Sequence, residues 1–232
     1  MKSPPRYNPI LYEIGQGTHD LRRLESKVGV RKGGLGPYLE TLREDLALLQ
    51  MENPVCGVRR QARYVFDDPF FYFHFVFGSR PLLELGRSDR ALREIEAGPG
   101  AHAGVRFERI ALEALVLLSG SSPQGIPVDF ERIGRWWNRR GDEIDVFAEG
   151  KDEVILGEVK WAREPVGEVL FWGLRRKAAL VEGLHGRRVR FASISRSGFT
   201  PGLLQEARGS HAILLDLPGL AQVFEERYEK TR

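Results

Sequence analysis

The sequence carries a single cysteine, Cys56, among 232 residues. One thiol makes no internal disulfide and anchors no cysteine-rich zinc site, so the chain folds without covalent staples and suits a reducing, cytoplasmic setting. Its five histidines, His19, His74, His102, His185 and His211, have no histidine neighbour three or four positions away, which leaves no histidine-pair metal motif. No stretch approaches the roughly 20 apolar residues of a membrane span, and the opening MKSPPRYNPILYEIG lacks the apolar core of a secretory signal. Excess charge of one sign is missing as well. The 35 basic and 32 acidic residues leave only +3, too little to imply a polyanionic partner by itself. Gly33, Gly34 and Gly36 are not followed by Lys-Ser or Lys-Thr, so this stretch encodes no phosphate-binding loop. Ser193 and Ser195 lack the G-x-S-x-G setting of a serine hydrolase.

What is present is an ordinary folding composition, 42% hydrophobic and 29% charged. The length allows two small domains with cores of their own. Residues 8–78 read as short helices succeeded by strands: a helix from Asn8 to Gly15, a second capped by Thr18 and ending before Gly29, and a third starting at Pro37. Leu35, Leu39, Leu42, Leu46 and Leu49 recur at helical spacing and predict one buried face on that third helix. Asn53-Pro54-Val55 and Arg63-Tyr64-Val65-Phe66 read as extended pieces around a basic turn from Gly57 to Arg60. Three helices and a β-wing predict an N-terminal winged-helix domain. The aromatic run Phe70 to Phe77 is expected to be buried at the seam with the second domain. Residues 79–103 form a connection with a charged helix from Arg87 to Ala97, closed by the punctuating Gly98 to Gly104.

Residues 104–232 read as an α/β domain with a mixed central sheet. A helix from Phe107 to Leu118 carries the stripe Phe107, Ile110, Ala111, Ala114, Leu115 and Leu118. Asp142–Ala148 and Val154–Trp161 form a hairpin, and the next helix spans Pro165 to Leu184. Strands over Arg188–Ser195 and His211–Asp216 then alternate with helices near Pro201–Arg208 and Pro218–Tyr228.

Chemistry concentrates in the hairpin. Alternation puts Glu158 and Lys160 on one face of the second strand. A four-residue turn from Gly150 to Glu153 pairs Glu149 with Val154 and therefore sets Asp145 opposite Glu158. Two carboxylates about 4 Å apart repel by on the order of 4 kcal/mol at an effective dielectric near 20, so both stay ionised only beside a cation. Magnesium suits this donor set, because it takes one or two carboxylates and fills its remaining positions with water and substrate phosphate oxygen. The Val159 carbonyl is a further oxygen donor. Lys160 would stand beside the metal-bound water, to orient it, help deprotonate it or stabilise the charge of the transition state. Asp142 is the rival ligand to Asp145, but a regular strand turns it to the opposite face. Cations flank the hairpin: Arg132, Arg135, Arg139 and Arg140 before it, Arg175, Arg176 and Lys177 after it, a distribution suited to nucleic-acid phosphates. Trp136, Trp137 and Trp161 read as packing rather than as base-stacking platforms. The third N-terminal helix shows Glu40, Glu44 and Asp45, which disfavours DNA there and leaves Arg59, Arg60 and Arg63 of the wing as that domain's DNA candidates.

Gly141-Asp142-Glu143-Ile144-Asp145-Val146 and Gly157-Glu158-Val159-Lys160-Trp161 resemble the PD-(D/E)XK nuclease superfamily, the restriction-endonuclease-like fold. Asp67-Asp68-Pro69-Phe70, Gly134-Arg135-Trp136-Trp137-Asn138-Arg139 and the Glu158-Val159-Lys160 segment further resemble the C-terminal region of archaeal-type AAA ATPases, over about residues 8–185. The resemblance implies that Glu108, on the upstream helix, joins Asp145 and Glu158 in holding Mg²⁺, with Mn²⁺ as a substitute, and that the protein hydrolyses phosphodiesters in DNA, with a preference for particular DNA structures open. In that family an ATPase domain usually precedes this region, and the sequence does not include one, which leaves open whether the protein works alone or with a separately encoded AAA-type ATPase. The alternative implied by the same resemblance is a catalytically inactive DNA- or protein-binding module working with that ATPase.

Overall fold

The computed structural model describes residues 6–56, 61–78 and 99–229. Arg59, Arg60 and the charged stretch 87–97 lie outside them. The chain divides into two compact units, one of residues 1–53 with 59–99, the other of 54–58 with 100–232.

In the first unit, α1 (Tyr7–Gly15) buries Ile10, Leu11 and Ile14. The second helix, α2 (Leu21–Val28), is capped by Asp20, whose carboxylate accepts the N–H groups of Arg22 and Arg23 at 3.0 and 3.1 Å, and it ends on Gly29 at φ 71°. Thr18, expected as the cap, is buried instead and bonds Glu13. The third, α3 (Gly36–Glu40), has Pro37 in its first turn and continues through a widened turn, Thr41–Asp45. Leu35, Leu39 and Leu42 are buried as their spacing predicts, but Leu46 is 51% exposed. The helix has ended there: Ala47 takes a positive φ of 49° and Leu49 opens β1 (Leu49–Glu52). This strand precedes the Asn53 to Val55 segment expected to fill its role. It pairs antiparallel with β2 (Arg63–Phe66), with Leu49 opposite Phe66 and Glu52 opposite Arg63. The aromatic run is helical, α4 (Pro69–Phe73) continued by a widened turn, His74–Gly78. Phe71, Tyr72 and Phe75 enter the core, whereas Phe70 and Phe73 face solvent, because a helix turns only part of an unbroken aromatic run inward.

The second unit is a three-layer α/β arrangement. Its first helix, α5 (Pro99–Leu118), starts earlier than the glycine punctuation suggests and takes Gly100 and Gly104 into its first turns. Phe107, Ala111, Ala114 and Leu115 are buried; Ile110, expected beside them, is exposed. The central sheet is mixed and five-stranded, in spatial order β3-β4-β5-β6-β7. The strands are β3 (Arg132–Trp137), β4 (Glu143–Glu149), β5 (Glu153–Lys160), β6 (Arg188–Ser195) and β7 (Ile213–Asp216). The first three run antiparallel to their neighbours, and β5 to β7 are parallel, linked through α6 (Val169–Ala178) and α7 (Pro201–Ser210). A final helix, α8 (Leu217–Glu229), closes the unit. The strand β3 goes beyond the sequence expectation; its residues, with Arg132 and Arg135 beside two tryptophans, read as a basic cluster until its pairing with β4 is seen.

Two cores sandwich the sheet. Val146, Ile155 and Val159 pack with Phe107, Ala111 and Leu115 of α5 and Leu220 of α8, while Ile144, Phe147, Val154 and Leu156 pack with Leu174 of α6. Trp136 belongs to the second of these cores, and Trp161 meets Phe107 edge-on at 5.2 Å. Gln124, held at φ 55°, donates its side-chain amide to the Leu214 carbonyl at 2.6 Å and so occupies part of the edge of β7. No helix among the described residues is long and apolar enough to cross a membrane.

Candidate functional site

The hairpin register is set by the turn. Glu149 stands opposite Val154 and Val146 opposite Gly157, and the same register carries Asp145 to Glu158. The partner on the other side is irregular. Gly134 faces Phe147 and Trp136 faces Ile144, so the single residue Arg135 spans both Asp145 and Val146. This β-bulge breaks the alternation of β4 and re-aims Asp145. Its Oδ2 accepts the Val159 N–H at 2.9 Å, a backbone donor of the neighbouring strand. Asp142, the rival carboxylate, is engaged in the β3–β4 turn, where it accepts from the Asn138 side-chain amide at 2.8 Å.

Gly157 permits this closeness. A Cβ there would stand 2.9 Å from Val146 Cβ and 3.2 Å from Ala192 Cβ, inside van der Waals contact with both neighbouring strands. The glycine of the Gly-Glu-Val-Lys segment therefore lets β4, β5 and β6 close up immediately before the charged pair.

Asp145 and Glu158 are both buried, Glu158 to 4% exposure. Lys160 Nζ lies 2.9 Å from Glu158 Oε2 and 3.8 Å from Asp145 Oδ2. The other oxygen of Glu158 accepts from Lys177 of α6. Glu108 of α5 pairs with Arg135 at 3.2 Å, and the same guanidinium lies 3.5 Å from Glu143. Four carboxylates and three cations thus meet where β4 and β5 run beside α5 and α6.

Burial is the main force on the acids. It pushes the Glu108 carboxyl up to about 7, aided by Asp145 and Glu143 and opposed by Arg135 and Lys160. Asp145 is also raised, by burial first and then by the Glu158 charge, against the pull of the Val159 N–H, Lys160 and Arg135. For Lys160 burial works against the charge, but Glu158 and Asp145 outweigh it and hold the ammonium above its usual range. Lys160 is therefore a hydrogen-bond donor and a fixed cation here; a lysine base requires a lowered value.

The oxygens of Asp145, Glu158 and Val159 are hard donors of the type magnesium takes, and two carboxylates meet its protein requirement. Among the described residues no group of three His, Cys, Asp or Glu is disposed to hold a metal, and Glu108 is engaged by Arg135. Of the expected phosphate-binding cations, Arg139 and Arg140 are exposed in the β3–β4 turn. Arg175 pairs with Glu206 at 2.6 Å, Lys177 with Glu158, and Arg135 with Glu108. Arg63 lies in β2 of the first unit. Trp136 and Trp137 are buried and so offer no stacking face. The link from Lys177 to Glu158 lies beyond the sequence reading. Its signal is a lysine three positions after the buried Leu174, at the rim of the sheet-facing side of α6.

A family model, DUF234, described as archaeal and bacterial proteins of unknown function, matches residues 72–170. The match takes in Glu108, Asp145, Glu158 and Lys160 and stops short of Lys177. An uncharacterised protein of Methanocaldococcus jannaschii is 30% identical over 224 residues, covering 93% of this chain and 48% of its own length. The chain thus spans about half the length of that relative. A Vibrio cholerae protein of known crystal structure aligns over 98% of this chain and 57% of its own, at 12% identity and a TM-score of 0.35, too low to indicate a shared fold.

Proposed function

We propose that the second unit is a PD-(D/E)XK-type phosphodiesterase that cleaves DNA with Mg²⁺. The observation that carries the reading is the convergence of two buried carboxylates, Asp145 and Glu158, with Lys160 within 4 Å of both, on neighbouring strands held together by the Val159 N–H. Asp145 and Glu158 would hold the cation, with Glu108 as the third carboxylate of the set. Bound there, the metal supplies Lewis-acid activation of water and of the phosphate. Lys160 keeps its proton and stabilises the charge that builds on the phosphate oxygens. Arg139 and Arg140 are exposed cations in the turn that leads into β4 and suit contacts to the DNA backbone, with Arg175 beside α7 as a further one. We read the first unit as a winged helix whose wing arginines Arg59, Arg60 and Arg63 meet DNA, and the protein as acting beside an AAA-type ATPase in the cytoplasm.

A second reading, a binding module without turnover, is favoured by one observation: Glu108 is ion-paired with Arg135, and among the described residues no three such ligands are disposed to hold a metal. Cleavage separates the two. Plasmid, branched and single-stranded DNA are incubated with Mg²⁺ or with EDTA. The nuclease reading expects Mg²⁺-dependent cleavage that falls by about 10²- to 10⁴-fold in Lys160→Ala. Salt-sensitive binding of DNA with no cleavage points to the binding module. Cleavage that survives the substitution unchanged removes Lys160 from the chemistry.

A further inference from the structure

We propose that Lys177 competes with the divalent cation for Glu158 and is released onto the substrate phosphate when the cation binds. The inference rests on the metal-site reading above and adds to it a residue from α6.

Both oxygens of Glu158 accept from ammonium groups, one from Lys160 at 2.9 Å and the other from Lys177. The two lysines are not equivalent. Lys160 leaves the same strand as Glu158, two residues on, and stands between both carboxylates. Lys177 arrives from α6, which is fixed against the sheet by the fully buried Phe171 and Leu174. Glu158 is its ion-pair partner among the described residues. Its four-carbon stem is flexible and its head is a compact point charge, so it can change partner without moving the helix.

Charge counting gives the direction. Asp145 and Glu158 are balanced by Lys160 and Lys177 when all four are ionised, and Arg135 offsets one of the two further carboxylates beside them, Glu108 and Glu143. A dication added to that balanced set is unfavourable in a site as buried as Glu158, unless a lysine departs or an anion arrives. Phosphate from the substrate does both, since it brings negative charge and gives Lys177 a new partner. The cation and the phosphodiester therefore bind cooperatively, and Lys177 restrains the metal until substrate is present.

The test is Mn²⁺ binding to the whole chain, monitored by electron paramagnetic resonance, for wild type, Lys177→Met, Lys177→Arg and Glu158→Gln. Thermal unfolding of each variant establishes that it is folded. Lys177→Met is expected to bind Mn²⁺ at least tenfold more tightly than wild type, Lys177→Arg within about threefold of it, and Glu158→Gln to lose the site. A duplex with phosphorothioate linkages is expected to tighten Mn²⁺ binding in wild type and to have a smaller effect in Lys177→Met. Equal or weaker binding in Lys177→Met, with loss in Glu158→Gln, overturns the competition and leaves the metal site standing. An equal effect of the duplex on both proteins overturns the release onto phosphate. Binding unaffected by Glu158→Gln, or absent throughout, overturns the metal reading and this inference with it.

Discussion

Glu108 shows how much of the site's behaviour sits in one side chain. Its carboxyl titrates near 7 in the folded protein against an ordinary value of 4.5, chiefly because it is buried. Between those values the folded chain keeps a proton that the unfolded chain has lost, so the contribution of this group to stability is fully present below about pH 4.5 and is lost as pH rises through 7. The decline amounts to at most roughly 3 kcal/mol for a shift of this size. Asp145, also raised, contributes with the same sign. Urea unfolding in EDTA at pH 5 and pH 8 is therefore expected to show the wild type losing more stability than Glu108→Gln over that interval. Equal losses in the two proteins would mean that Glu108 is ionised at little cost and that Arg135 compensates its burial fully.

At the scale of elements, the close approach of β4, β5 and β6 at Gly157 is what presents the charged pair. Gly157→Ala places a methyl 2.9 Å from one Cβ and 3.2 Å from another, neither of them the end of a flexible side chain. Overpacking of this kind costs about 1–3 kcal/mol, measurable as a lower urea midpoint, and a neutral outcome would show that the strands part easily. Much of this region was legible in the sequence. The turn after Glu149 fixed the β4–β5 register, and alternation placed Glu158 with Lys160, because both depend on local spacing. The bulge at Asp145 and Val146 was not legible, since it depends on β3, a strand whose pairing no local pattern announced. Leu46 misled for a related reason. It continues a helical spacing past the point where the backbone has already turned at Ala47 toward β1. Lys177 was legible only as one of the cations that follow the hairpin, because its contact with Glu158 joins two elements through tertiary packing.

On the scale of the whole molecule, two units with separate cores are joined in one chain that covers about half of its longer relative. Near-balanced charge, +3 over 232 residues, puts the weight of any DNA affinity on local arginines and on the metal, which predicts salt dependence set by a few contacts. All of this turns on whether a cation is held between β4 and β5. The most direct measurement is anomalous diffraction from crystals soaked in Mn²⁺, for the wild type and Asp145→Asn. The account predicts an anomalous peak bounded by the Asp145 and Glu158 carboxylates that is lost in the variant. No peak there, or one that persists at another position in both crystals, would contradict it.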